Sequence, residues 1–214
     1  MKYFLVALVW AGYCVLHSYL ISNRVTNLMA LALKRYYAYY RIFYVAISIG
    51  LLIPLLNFTV RSDSNVIITY GLTLNIVRYV LILGSAAMFL WAFFIDYDSL
   101  SFIGIRQILN SRKTVHTNPP KEIKKGGLLG IIRHPMYFAL IIFLWCQTFK
   151  VMDIVVNTVL TVYVFIGTIL EERKLVLEFG DTYIRYQQEV PMLLPFTKAK
   201  NRNSKVLTKS INHL

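Results

Sequence analysis

The chain has 214 residues, 57% of them apolar, with a mean hydropathy of +0.56 and a formal net charge of +13. A soluble domain of this length needs a larger polar share to cover its surface, whereas here charge is confined to blocks separated by nearly uncharged segments. That pattern excludes an ordinary soluble globule. Nor does the basic excess imply nucleic-acid binding, because no recognition module accompanies it and basic residues beside spans serve orientation and attraction to anionic lipid.

About 20 apolar residues carry a helix across the hydrocarbon, with roughly 17 tolerated. Five stretches approach this length. Tyr3–Ile21 and Ile42–Val60 are free of charge. Val66–Ile95 holds one Arg78, which places the third span at about Val77–Ile95. Met136–Phe149 is short and can be extended backward through Leu128–Ile132, and Asp153–Leu170 is the fifth. None alternates as a membrane barrel would, so the predicted fold is all-α: a polytopic membrane protein of about five transmembrane helices. The first stretch has no small-x-small cleavage site and holds His17 and Ser18, so it reads as a retained helix and not as a signal peptide.

Lys and Arg counted loop by loop give the orientation. Ser22–Arg41 contributes Arg24, Lys34, Arg35 and Arg41; Asp96–Pro135 and the segment after Leu170 are richer still. With the N-terminus outside and the C-terminus cytoplasmic, nineteen basic residues fall inside and only Lys2, Arg61 and Lys150 outside. The organisation expected is a three-helix membrane region over 1–95, a core over 96–196 and a basic, disordered tail over 197–214. Within the core, Asp96–Lys125 is a polar segment broken by Pro119–Pro120, too long for a simple turn. The fourth and fifth spans should form an antiparallel hairpin, and the fifth should continue to Phe179 and stop at Gly180. Cys14 and Cys146 lie in spans and read as packing residues.

Two clusters are costly enough to need a reason. Arg133-His134-Pro135-Met136-Tyr137 stands at a membrane boundary. Proline is comfortable at a helix start, and Arg and His before it sit where first-turn N–H groups can hold an anion. Equally, Arg133 could anchor lipid phosphate and His134 could cap the helix; both readings stand. Glu171-Glu172 ends an otherwise uncharged span, with Arg173 and Lys174 as local partners for a solvated helix end. Acidic residues there oppose the helix dipole, which favours a binding role. His17 with Ser18 reads as an interhelical hydrogen bond before a ligand. No strand precedes a Gly-x-Gly-x-x-Gly, so a Rossmann domain is not predicted, and no His/Cys metal spacing occurs.

The order of motifs adds to this. Arg133-His134-Pro135-x-Tyr137 is followed by two apolar spans, then Glu171-Glu172-x-x-Leu175-x-x-x-Phe179-Gly180-x-x-Tyr183-x-x-Tyr186, and finally Val190-Pro191-x-x-x-Pro195. This series resembles the isoprenylcysteine carboxyl methyltransferase and phospholipid methyltransferase superfamily of membrane enzymes over roughly 126–195. Asp98-x-x-x-Phe102-x-Gly104-x-Arg106-Gln107 is similar to the loop of the methanethiol S-methyltransferase-like branch, as is His17-Ser18. Leu129 and Ala139 stand where the family often has Tyr and Gly.

The resemblance implies an S-adenosylmethionine-dependent methyltransferase of a small thiol such as methanethiol. Its alternatives are a methyltransferase of isoprenylcysteine or phospholipid, or a non-catalytic, denitrification-associated membrane protein. It implies a cofactor pocket contacted by His134, Tyr137 and Tyr183 and by Glu172 from the other side, with Arg133 and Glu171 close by. Arg106 is then the cation expected to stabilise a thiolate, with Gln107 orienting it. The partners implied are a small thiol or lipid substrate and membrane lipids, with no nucleic acid. A chain of this kind suits a prokaryotic inner membrane.

Overall fold

The computed structural model describes residues 1–62, 66–67, 70–111, 123, 125–147, 150–195 and 197. Nine α-helices are formed among them: α1 (Lys2–Leu20), α2 (Asn23–Leu33), α3 (Tyr40–Ser62), α4 (Leu72–Trp91), α5 (Ser99–Ile103), α6 (Ile105–Ser111), α7 (Pro135–Trp145), α8 (Val151–Phe179) and α9 (Asp181–Glu189). No strand occurs among the described residues beyond one isolated bridge between Val66 and Lys150. Pro119–Pro120 and nearly all of the basic tail lie outside the described residues.

The all-α polytopic membrane class is what the sequence predicts, but the spans differ in detail. Four helical segments are long and apolar enough to cross a membrane: Lys2–Leu20, Asn23–Arg61, Leu72–Asp96 and Val151–Phe179. The fourth predicted span becomes α7, only 11 residues long. At about 1.5 Å rise per residue, that is roughly half of the ~30 Å hydrocarbon. The backward extension through Leu128–Ile132 does not join it. Gly127–Gly130 instead forms a separate 3₁₀ turn, and His134, with φ −125° and ψ 66°, is not helical before Pro135 starts the helix.

The basic segment after the first span is also not an open loop. Ser22 caps α2, and Lys34–Tyr39 makes a 3₁₀ turn that leads into α3. The long segment after the third span begins with a π-helical turn, Ala92–Asp96, followed by α5 and α6. The last span runs on to Phe179 and ends at Gly180, whose φ is 58°, as the glycine suggests.

Packing follows from which faces avoid lipid. α1 lies along α8, and α4 along α7. Val6, Trp10, Leu55, Met152 and Val156 form a core between α1, α3 and α8, where Trp10 Nε1 donates to Thr59 Oγ1 at 2.9 Å. Asn157 Nδ2 donates to Leu144 O at 2.8 Å, tying α7 to α8 as the predicted hairpin. Large side chains elsewhere on the spans are exposed, as lipid-facing residues should be.

Candidate functional site

Arg133 and His134 come together with Glu172 where α7 begins, alongside the C-terminal part of α8. The guanidinium grips the carboxylate through two bonds, Nε to Oε1 and Nη2 to Oε2, each 2.7 Å. His134 Nε2 lies 2.9 Å from Oε1, and since a carboxylate only accepts, the proton sits on Nε2. Tyr183 donates to Oε1 at 3.0 Å, and Gln187 Nε2 donates to Oε2 at 2.6 Å. Five donors thus converge on one buried carboxylate with about four lone-pair sites. Breaking such a pair strands a charge in low dielectric, which fixes its members in place.

The backbone explains why these residues meet. Arg133 N donates to Pro191 O at 2.9 Å and His134 N to Met192 O at 3.1 Å, so Val190–Pro195 straps the residues ahead of α7. Arg133 Nη1 also donates to the carbonyls of Gln187 (3.1 Å) and Val190. Tyr186 donates to Leu129 O at 2.6 Å, and Lys125 pairs with Glu189 at 2.6 Å, holding α9 under the 3₁₀ turn. At that turn Gly127 is obligatory. Its φ is 61°, and an added Cβ would lie 2.4 Å from Asp96 Oδ1, the carboxylate that accepts from Leu128 N at 3.2 Å.

Tyr183 and Tyr186 pack edge to face at 5.7 Å, buried beside Val190. Burial raises both phenols, that of Tyr186 to about 12; the negative charge of Glu172 adds to the rise at Tyr183. Both are therefore neutral donors near pH 7.

The neighbouring pair is less saturated. Tyr137 donates to Glu171 Oε2 at 2.7 Å and stacks on His134 with ring centres 5.5 Å apart. Glu171 is partly exposed, and its Oε1 has no partner among the described residues. His134 is 2% exposed; its Nδ1 has no hydrogen-bond partner and stands 3.9 Å from Glu171 Oε2.

Arg106 and Gln107 make their contacts elsewhere. Arg106 Nε pairs with Asp98 Oδ2 at 3.0 Å, with both side chains partly exposed. Gln107 donates to Ser101 O at 3.0 Å and lines a cavity against the 3₁₀ turn and the start of α3. His17 and Ser18 make the interhelical contact that the sequence suggests, with Tyr163 Oη at 2.9 and 3.0 Å, and Tyr44 Oη is 2.8 Å from His17 Nε2. Sequence reading missed Gln187, Asp96, Tyr44 and Tyr163. Polar groups inside otherwise apolar spans were the available signal for the last two.

Fold and site together define a polytopic, all-helical membrane protein with a charged, hydrogen-bonded knot where its last two apolar helices meet α9. Over about half its length the chain is similar to proteins named methanethiol S-methyltransferase. It is 32% identical to one from Bradyrhizobium diazoefficiens over 54% of this chain and 40% of that protein. It is 35% identical to one from a Pseudomonas strain over 53% and 43%, and 31% identical to one from Crocosphaera subtropica over 56% and 46%. These similarities fit the isoprenylcysteine methyltransferase-like membrane family that the motifs resemble. The chain spans less than half the length of these relatives. No protein-family profile matches it, and no solved structure does.

Proposed function

We propose that the chain is a membrane methyltransferase that moves the methyl group of S-adenosylmethionine to a small thiol such as methanethiol. The relatives' names support the activity and the acceptor. The single structural observation that carries the cofactor is the contrast between Glu172, with both oxygens engaged, and the unspent groups beside it. Glu171 Oε1 and the buried His134 Nδ1, which stands 3.9 Å from Glu171 Oε2, have no hydrogen-bond partners among the described residues, and α7 begins at the next residue, Pro135.

An amino-acid head fits that donor set. Glu171 and the His134 Nδ1 acceptor take the ammonium, α7's N-terminus takes the carboxylate, and the Tyr137 ring offers a face to positive charge. Arg133, Glu172 and Tyr183 act by holding His134 and the strap in register. When bound, S-adenosylmethionine supplies an electrophilic methyl group on a sulfonium. The protein's part is then to align acceptor and methyl carbon and exclude water, because orientation dominates such a displacement. Gln107 serves the acceptor, and Arg106 holds the α5–α6 corner through Asp98. The basic loops support a cytoplasmic site with the N-terminus outside, in a bacterial inner membrane.

Calorimetry of S-adenosylmethionine binding to detergent-purified protein tests this reading. The wild type should bind, and Glu171→Gln should bind roughly 10–100-fold more weakly, as expected for losing a charged hydrogen bond of about 1.5–3 kcal/mol. A folded wild type that does not bind removes the reading.

A further inference from the structure

The loop motif Asp98–Gln107 closes on a residue that lies far from it in sequence. Phe102 O accepts from Arg41 Nε at 2.9 Å, and the Arg41 guanidinium lies 5.7 Å from the centre of the Phe102 ring. Gly104 has φ 105°, and an added Cβ would stand 2.9 Å from Ile42 N and 3.0 Å from Arg41 Cβ. Asp98 caps α5 through Ser101 and pairs with Arg106. The motif therefore fastens α5 and α6 to Arg41 and sets Gln107 beside it.

Between them is a partly open cavity of about 150 Å³, lined among others by Tyr37, Tyr40, Arg41, Tyr44 and Gln107. That is below the roughly 300–1,000 Å³ of pockets for drug-sized ligands and leaves room only for a molecule of a few heavy atoms. Two of its polar side chains keep unspent groups. The Nη atoms of Arg41 have no hydrogen-bond partner among the described residues, and Gln107 Oε1 is buried with none. The amide cannot simply turn over, because Ser101 O needs the Nε2 donor. A cation beside a fixed acceptor suits a group that arrives as a donor and becomes an anion. Tyr44 continues from the cavity wall to His17 Nε2 at 2.8 Å, and His17 Nδ1 is 2.9 Å from Tyr163 Oη.

We propose that this cavity is the acceptor site: a small thiol donates S–H to Gln107, loses its proton through Tyr44 to His17, and rests as a thiolate against Arg41. The S–H bond breaks with its electron pair staying on sulfur. Tyr44 Oη takes that proton while passing its own to His17 Nε2, and an imidazolium and a thiolate remain. The assignment of a thiol rests on the methyltransferase reading; the site rests on the cavity.

The test is thiolate ultraviolet absorbance on titrating sodium methanethiolate, buffered near pH 7, into detergent-purified protein without S-adenosylmethionine. Wild type should give a saturable thiolate band. Arg41→Met and Gln107→Leu should each weaken binding at least about 10-fold, and His17→Gln should remove the band. Two binding variants are needed because Arg41 also grips Phe102. No saturable band in the wild type, or unchanged binding in folded Arg41→Met and Gln107→Leu, overturns the proposal. Thiol binding without S-adenosylmethionine binding would instead sink the methyltransferase reading and leave the site standing. The reverse would sink only the site.

Discussion

Arg133 and Arg41 both stand at the ends of apolar helices, yet their surroundings differ. Between Arg133 and Glu172 themselves the hydrogen-bonding capacity is used up: Glu172 receives the guanidinium, His134, Tyr183 and Gln187, and two backbone carbonyls take Nη1. Around Arg41 only Nε is engaged, and Gln107, which lines the same cavity, has its Oε1 enclosed without a partner. A saturated network specifies structure, whereas spare, pre-positioned groups are what a ligand needs. Residue type alone does not separate a scaffold arginine from a binding one; the count of satisfied partners does.

The comparison breaks most readily through stability. Glu172→Ala should cost about 3–5 kcal/mol, because it leaves the Arg133 charge buried and unpaired. Gln107→Leu should stay within about 1 kcal/mol, since losing the bond to Ser101 is offset by removing a buried unsatisfied oxygen. Denaturant unfolding in mild detergent measures both. Equal losses would show that the two regions are not different in kind.

A smaller effect sharpens the same contrast from the pH side. The phenol of Tyr186 is raised from 10.0 to about 12, chiefly by burial, so its neutral form is favoured in the folded state. A group raised in this way contributes stability that is complete below its unfolded value and lost as pH climbs through its folded one. The unfolding midpoint should therefore fall between pH 10 and about 12, and Tyr186→Phe should flatten that fall. A midpoint that is level across this window in the wild type would contradict the burial of α9 against the 3₁₀ turn.

Much of the fold is legible in the sequence because lipid imposes a simple pattern. Long apolar runs give long helices, and Gly180 marks the end of α8. The fourth span is where hydropathy misleads. Leu128–Ile132 is apolar enough to extend α7, but Gly127 turns the chain and Pro135 restarts it. The residues of the knot were legible as Arg133-His134 and Glu171-Glu172, since charge at a membrane edge needs a reason. What could not be read was which of the two carboxylates is consumed by neighbours, because Gln187 and the strap carbonyls come from later segments. Arg41 was hidden for a similar reason. It reads as one of several basic residues that set orientation, and only the fold brings Phe102, Gly104 and Gln107 to it.

The central claim, methyl transfer to a thiol, is tested most directly by supplying purified protein with methyl-labelled S-adenosylmethionine and methanethiol. Label should appear in dimethyl sulfide, in a reaction that needs both substrates and is lost in Glu171→Gln at cofactor concentrations that saturate the wild type. Folded wild-type protein that leaves the label on the donor in the presence of the thiol, or passes it only to isoprenylcysteine or phospholipid, would contradict it.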